Sequence, residues 1–567
     1  MALDIHRWLE RDPDPSTREE LRSLIESQES EKIRDRFKSR LAFGTAGLRG
    51  KVGAGPNRIN QLVVLETTLG LGLYLNDSVK NAKLRGVLVG YDARPDSERF
   101  AKSSAEVLLA LGFNVFLSSE MGPTPLVAFG VKHLGAAAGI VVTASHNPPE
   151  YNGYKVYWGN GAQITTPHDS GIASAIERAT RMEIPQDNLE QHKNLTWLDS
   201  NFTRTYLSSL SKISLPDQRV DTKKSISVAY TAMHGVGGEM ISAIATLVGL
   251  DLFYPVPEQF CPDGAFPTVP FPNPEEIGAM DRVIALAKTK DADLACANDP
   301  DADRFAVAAK IDTGEYRILT GDQVGILLGN YLMSLRPKSW VGSTIVSCSL
   351  LEKLASQHGS SYYKTLTGFK WLTNMAMSYQ TSDRPFLFAY EEALGYAITD
   401  LVWDKDGLSS FLVFVLLAEN LKKRNLSVWD QLLAIYRQHG FYATAQKNLV
   451  INQDSGSVSD GLRRSPPSVI AGRVVVSVED FLTLKATNQR GEVQMLDYPS
   501  SDVLIYYLED SSRVIVRPSG TEPKLKCYYE ICYKLTEGLS FLQAQKKADK
   551  ILSLLVSEHQ NSIITSI

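Results

Sequence analysis

The chain has 567 residues, enough for three to five domains at roughly 100–200 residues each. Apolar residues make up 44% and charged residues 22%, an ordinary globular balance. The formal net charge of -5 is too small to suggest a general nucleic-acid or membrane-surface role, so an anionic ligand has to be gripped by a local Arg and Lys cluster.

The first residues, Met1 to Arg7, lack an apolar signal core, and no apolar stretch approaches the ~20 residues of a membrane helix. Five scattered cysteines, Cys261, Cys296, Cys348, Cys527 and Cys532, read as free thiols in a reducing compartment. A cytoplasmic protein is expected, with no nucleic acid and no membrane among its partners. A first helix is expected with Ser16 and Glu19 as a capping box before Leu21, Leu24 and Ile25. The charged stretch Glu31–Arg40 reads as a solvated helical face.

An apolar run leading through a turn into an amphipathic helix then recurs. It occurs at Gly86–Tyr91 before Ser97–Leu111, at Ile226–Tyr230 before Gly238–Val248, and at Thr344–Ser347 before Leu350–His358. Strand alternating with helix predicts mostly parallel sheets covered on both faces. The last hundred residues carry strand candidates at Val474–Val478, Val503–Leu508, Val514–Val516 and Leu525–Cys532, then a helix at Leu539–Ser557. The fold class is therefore α/β, three consecutive α/β domains followed by a smaller C-terminal α+β domain. Breaks near Leu215-Pro216-Asp217, Arg336-Pro337-Lys338 and Asn452–Pro467 give domains 1–215, 216–336, 337–455 and 456–567. Seven prolines within Pro255–Pro274 make that segment rigid and non-helical. Phe260, Phe266 and Phe271 are expected to anchor it as an ordered crossing loop.

Three segments carry chemistry. Gly135–Thr143 reads as a buried strand, and Ser145 follows in Ser145-His146-Asn147-Pro148, outside a strand end where ligands gather in open parallel sheets. A serine needs activation by a base or a metal. His146 and Lys155 are at hand, and Tyr151–Lys155 is expected to turn the chain back and aim Lys155 inward. The bland reading is a turn whose hydroxyl caps a backbone amide.

Asp299, Asp301 and Asp303 alternate, and in an extended chain they share one face. Such carboxylates repel unless a hard cation neutralises them, and Mg²⁺ takes oxygen ligands while keeping positions open for phosphate. A calcium EF-hand loop fails on Arg304 and Lys310, where Gly and Glu are required. Arg304 beside the cage suits a shared phosphate better than a solvated acidic turn does.

Arg517, Ser519, Gly520, Thr521, Lys524 and Lys526 lie between two strand candidates. They offer a guanidinium, hydroxyls and a close backbone approach to an oxyanion, or else an ordinary basic hairpin. Glu391 at a strand end can accept from sugar hydroxyls, and Thr367-Gly368 and Lys405 can add loop contacts. Nucleophile, metal cage and phosphate grip together point to phosphoryl transfer.

These motifs, with Gly44-Thr45-Ala46-Gly47-Leu48-Arg49-Gly50, Asp263-Gly264-Ala265-Phe266-Pro267 and Pro272-Asn273-Pro274-Glu275, resemble the α-D-phosphohexomutase superfamily along nearly the whole chain. The resemblance implies four domains around a central cleft, carrying in turn the phosphoserine, metal, sugar and phosphate loops. It implies that Ser145 carries the transferable phosphate and joins Asp299, Asp301 and Asp303 on Mg²⁺. Arg49 and Arg304 would hold the phosphoryl centre, with Lys155 or His146 as acid/base. Thr45, Thr367, Gly368, Glu391, Lys405, Arg517, Ser519, Gly520, Thr521 and Lys524 match substrate contacts. A sugar bisphosphate would prime the cycle, sugar phosphates would be the partners, and the state would be monomer or dimer.

Glucose-preferring members usually read Glu-Glu-Ser where this chain has Glu391-Glu392-Ala393. The wording resembles the phosphopentomutase branch, which implies ribose or deoxyribose 1-phosphate to 5-phosphate conversion with some glucose phosphate activity. A glucose 1,6-bisphosphate synthase, a glucose-preferring phosphoglucomutase, a metal-dependent phosphatase and a non-catalytic sugar-phosphate sensor are the alternatives.

Overall fold

The computed structural model describes residues 5–42, 47–211, 213, 226–450, 455–518 and 524–566. The chain divides into two compact bodies, residues 1–321 with 368–419, and residues 322–367 with 420–567. No helix among the described residues is long and apolar enough to cross a membrane.

The first body opens with helices Ile5–Arg11, Pro15–Glu26 and Ser30–Phe37. The cap of the second is Asp14 rather than Ser16. Pro15 starts the helix because its ring presets φ and it has no N–H to leave unpaired. The Asp14 carboxylate accepts the Ser16 N–H at 2.9 Å and the Ser16 hydroxyl at 2.7 Å.

A six-stranded sheet follows, in the order Leu48–Lys51, Tyr151–Trp158, Ala138–Val142, Val87–Tyr91, Val115–Ser118, Leu195–Leu198. The last four strands are parallel, and the first two pair antiparallel at one edge. Val87–Tyr91 and Ala138–Val142 are buried throughout, as continuous apolar strands covered on both faces should be. The strand expected at 135–143 is shorter. Gly135, at φ +65°, ends the helix Thr124–Leu134 in the left-handed conformation. The segment 151–155, expected as a turn, is the start of an eight-residue strand, and the reversal occurs ahead of it.

The second sheet of this body runs Tyr316–Ile318, Ala306–Lys310, Leu294–Ala297, Ser227–Thr231, Leu252–Pro255. Its last three strands are parallel. The proline-rich segment is ordered, with one short helix, Pro257–Phe260. Phe266 is its buried anchor, whereas Phe271 is 40% exposed. The antiparallel hairpin Phe386–Glu391 and Gly395–Ile398 also belongs to this body.

In the second body Trp340–Thr344 pairs parallel with Ser361–Thr365. The strand expected at 344–347 thus lies earlier. Ile345 and Val346 are buried in the turn that follows, so their apolarity reports burial and not extension. The C-terminal sheet is antiparallel, in the order Phe441–Val450, Lys524–Tyr533, Arg513–Pro518, Leu504–Leu508, Arg473–Asp480, Lys485–Asn488, Val493–Met495. The long helix Phe541–Ser566 packs on Phe441–Val450 and Lys524–Tyr533. The α/β segments and the closing α+β segment thus form a multi-domain α/β fold.

Candidate active site

Ser145 stands just beyond the strand Ala138–Val142, with φ +53°. A non-glycine residue in the left-handed region needs outside support. Its N–H donates to Thr143 Oγ1 at 2.8 Å, and the Thr143 hydroxyl donates to Asp92 Oδ2 at 2.6 Å. Arg94 completes the support. Its guanidinium donates to the carbonyls of Ser145, Asn147, Pro148 and Tyr151 at 2.6–2.8 Å, and its Nε to Asp92 at 3.2 Å. One buried cation thus satisfies the acceptors of a whole loop.

The returning strand Tyr151–Trp158 sets Lys155 opposite Val141. Gly153 is required there, because a Cβ would lie 2.6 Å from the Thr143 carbonyl and 2.7 Å from that of Leu48. Arg49, opposite Gly153 on the edge strand, donates to Asn147 Oδ1 at 2.9 Å.

The three aspartates follow the strand Leu294–Ala297 in a tight turn rather than an extended run. Ala302 N–H donates to Asp299 O at 2.8 Å, and Ala302 has φ +55°. The turn still gathers the carboxylates, with one oxygen from each within 4.8 Å of the others. All three are buried, and Asp301 Oδ1 and Asp303 Oδ1 have no hydrogen-bond partner among the described residues. Buried carboxylate oxygens left unpaired are costly unless a cation takes them, and three hard oxygen donors suit Mg²⁺. Thr124, at the N-terminus of helix Thr124–Leu134, donates to Asp301 Oδ2 at 2.6 Å. Among the described residues this is the one acidic cluster with metal-ligand geometry.

The serine and carboxylate loops meet. Ser145 Oγ donates to Asp299 Oδ2 at 2.9 Å and lies 3.2 Å from His146 Nδ1. Lys155 Nζ donates to Asp301 at 2.6 Å and Asp303 at 2.9 Å, and Lys405 Nζ reaches Asp303 at 3.2 Å. Burial alone would lower the Lys155 pKa, but Asp301 and Asp303 outweigh it and raise it above the ordinary lysine range. His146 goes the other way. Burial, with the charges of Arg304 and Arg49, holds it neutral, well below the usual histidine range. Burial likewise raises Asp299, together with the neighbouring carboxylates of Asp301 and Asp303.

Arg304 gives its N–H to Asp299 Oδ1 at 2.9 Å and its Nη1 to Glu275 at 2.8 Å. Glu391 ends the strand Phe386–Glu391 and is raised by burial against the pull of Lys405 and Arg304. Gly395 makes room for Lys405, whose Cδ would lie 2.3 Å from an added Cβ. Asp404 fixes the Lys405 backbone, accepting its N–H at 2.8 Å along with Tyr157 Oη at 2.6 Å and Gln163 Nε2 at 2.8 Å. Gly368, at φ +115°, precedes the helix Phe369–Tyr379.

In the second body Arg517 Nη1 donates to Thr367 Oγ1 at 2.8 Å, joining two expected contacts 150 positions apart. Lys524 begins its strand opposite Val450. Thr45, Ser519, Gly520 and Thr521 lie outside the described residues. Asp92, Arg94, Thr124, Asn147, Glu275 and Asp404 were not singled out individually from sequence. Asp92-Ala93-Arg94 had a signal, since it follows an apolar strand just as Ser145 and the aspartates do.

Four family models match in order: phosphoglucomutase/phosphomannomutase α/β/α domain I at residues 40–183, domain II at 204–311, domain III at 320–437 and the C-terminal domain at 474–534. The chain belongs to the phosphoglucomutase/phosphomannomutase family, within the α-D-phosphohexomutase superfamily, and is a phosphosugar mutase of its phosphopentomutase-like branch. It is 36% identical to the probable phosphoribomutase of Schizosaccharomyces pombe over 98% of this chain and 97% of that one. It is 37% identical to the phosphopentomutase of Mus musculus over 93% and 89%. The human glucose 1,6-bisphosphate synthase is 32% identical over 99% and 95%. The crystal structure of a phosphoglucomutase/phosphomannomutase family protein from Burkholderia thailandensis shares the fold, with TM-score 0.66 and 20% identity over 90% and 97%.

Proposed function

We propose that this mutase interconverts ribose or deoxyribose 1-phosphate and the 5-phosphate through a phosphoserine at Ser145, with some action on glucose phosphates. The observation that carries the reaction is the meeting of Ser145 Oγ with Asp299 inside the buried carboxylate cluster. The pentose preference rests on the phosphoribomutase and phosphopentomutase relatives and on Ala393, which has no hydroxyl to offer a hexose.

In the first half-reaction a sugar hydroxyl attacks the phosphorus on Ser145. The new sugar O–P bond forms as the Oγ–P bond breaks, and the hydroxyl proton passes in net to Ser145 Oγ. His146, neutral and 3.2 Å from Oγ, can relay that proton, taking it on one ring nitrogen as the other releases its own to Oγ. Arg49, Arg304 and Lys155 set positive charge around the transferring group. Ser145 with Asp299, Asp301 and Asp303 would hold Mg²⁺, which neutralises phosphoryl charge when bound. The bisphosphate then turns over and returns its other phosphate to Ser145. The same bisphosphate, added from outside, primes the resting enzyme. Arg517, Thr367, Lys524 and the loop 519–521 take the phosphate that is not reacting. Glu391 and Lys405 face the sugar, with Thr45 and Gly368 as loop contacts. The four loops belong to domains 1–215, 216–336, 337–455 and 456–567, and the enzyme works in the cytoplasm.

The test is a rate comparison on ribose 1-phosphate and glucose 1-phosphate, each with its bisphosphate. Ribose 1-phosphate is expected to be faster, and Ser145→Ala is expected to lose both activities while keeping its melting temperature. Glucose faster by tenfold would overturn the pentose reading, and turnover by Ser145→Ala the nucleophile. The synthase relative motivates a third reaction with 1,3-bisphosphoglycerate, where rapid bisphosphate formation would move this chain to synthase chemistry.

A further inference from the structure

The proline-rich segment that follows strand Leu252–Pro255 and precedes strand Leu294–Ala297 has no part in the chemistry above, yet it touches two of the site's arginines, Arg94 and Arg304. At its near end Gly264 packs on the backbone of Ala93 and Arg94, where an added Cβ would lie 2.4 Å from Ala93 O and 2.6 Å from Arg94 Cα. Phe266, 2% exposed, lies under the Arg94 guanidinium at 5.0 Å. At its far end Asn273, between Pro272 and Pro274, is buried and receives the Glu275 N–H at 3.3 Å and the Glu276 N–H at 2.9 Å. That turn carries the Glu275 carboxylate to Arg304 Nη1 at 2.8 Å.

The pair is asymmetric. The Arg304 side chain is 14% exposed and that of Glu275 is 41%. A half-exposed ion pair of this kind adds little to stability. It can still bias the orientation of the guanidinium, since the single bond from Nη1 to the carboxylate selects among its rotamers and the planar fork turns as one unit. Arg304 Nε is buried and has no hydrogen-bond partner among the described residues. With its backbone tied to Asp299 and its Nη1 tied to Glu275, Arg304 keeps that inner donor free for an anion.

We propose that Glu275 is a positioning residue for the transfer step, acting only through Arg304, and that the proline-rich segment is the strut that delivers it. The proline and asparagine turn sets the carboxylate against the outer edge of the guanidinium, so that the inner edge faces the phosphoryl group. The assignment rests on the reading of Arg304 as part of the phosphoryl centre.

The experiment is a double-mutant cycle on the full chain with Mg²⁺ and ribose 1,5-bisphosphate, measuring kcat and KM for ribose 1-phosphate. Glu275→Ala is expected to lower kcat by roughly ten- to a hundredfold, the scale of an ångström of misplacement. KM should move less than threefold. Glu275→Gln keeps an acceptor for Nη1 and is expected to recover part of the loss, and it also serves if the alanine variant folds poorly. In an Arg304→Ala background the same Glu275 change should cost less than twofold. An undiminished cost in that background, or wild-type kcat in both Glu275 variants beside an impaired Arg304→Ala, would overturn the positioning role alone. Wild-type turnover by Arg304→Ala would overturn the reading of the phosphoryl centre, and this assignment with it.

Discussion

Arg94→Lys isolates what holds the serine loop in shape. The guanidinium serves four carbonyls at 2.6–2.8 Å, two from each terminal nitrogen. A lysine ammonium has three donors radiating from one point and cannot span that set, so at least one carbonyl loses its partner. Bonds to a charged donor are worth about 1.5–3 kcal/mol each. Water can replace them at Asn147 and Pro148, which are half-buried, but not at Ser145, which is buried. The net loss is then about 3 kcal/mol, felt as local opening of residues 145–151. At ~1.4 kcal/mol per decade this opens the loop about a hundredfold more often. Amide hydrogen exchange of 145–151 should accelerate by that factor, while strand Leu504–Leu508 in the other body stays as in wild type. Turnover should fall at least as far, because Ser145 would lose its left-handed geometry. Loop protection within threefold of wild type, with normal turnover, would refute the claim that Arg94 organises the nucleophile.

Chelation with EDTA should abolish turnover and added Mg²⁺ should restore it; Asp301→Ala should stay inactive at Mg²⁺ levels that saturate the wild type, as checked by titrating activity against Mg²⁺. Ala393→Ser should raise glucose 1-phosphate use relative to ribose 1-phosphate, and an unchanged ratio of kcat/KM values would remove position 393 from specificity. Burial lowers His559 to about 4, where its Nδ1 faces Tyr529 Oη at 3.0 Å. The unfolded chain binds a proton first, near pH 6.5, so stability falls as pH drops from about 6.5 to 4 and levels off below, for a loss of about 3 kcal/mol. His559→Gln should flatten that limb in urea unfolding at pH 7, 5.5 and 4.5, and an unchanged slope would show that other groups set it.

Much of the site was legible because its chemistry is local in sequence. Ser145 and the three aspartates each follow an apolar strand, and strand ends are where an open parallel sheet leaves loops free for ligands. Residue type alone made Asp299-Pro300-Asp301-Ala302-Asp303 an oxygen cage. Its shape was not legible, because the turn is held by an Ala302 to Asp299 hydrogen bond and not by side-chain alternation. Ile345 and Val346 misled in the same way, apolar for burial inside a turn.

What only the tertiary structure decided are the partnerships across long stretches of chain. Lys155 rests on two aspartates about 146 positions away, Arg304 on Glu275, Arg517 on Thr367 and Lys405 on Asp303. No local propensity encodes such a pair, because each partner's conformation is set by its own strand or turn. Arg94 is the clearest case. In sequence it is one arginine after a strand, and only the folded loop gives it four carbonyls to bind. The order of loops along the chain named the chemistry, while burial and distance assigned each charge its partner.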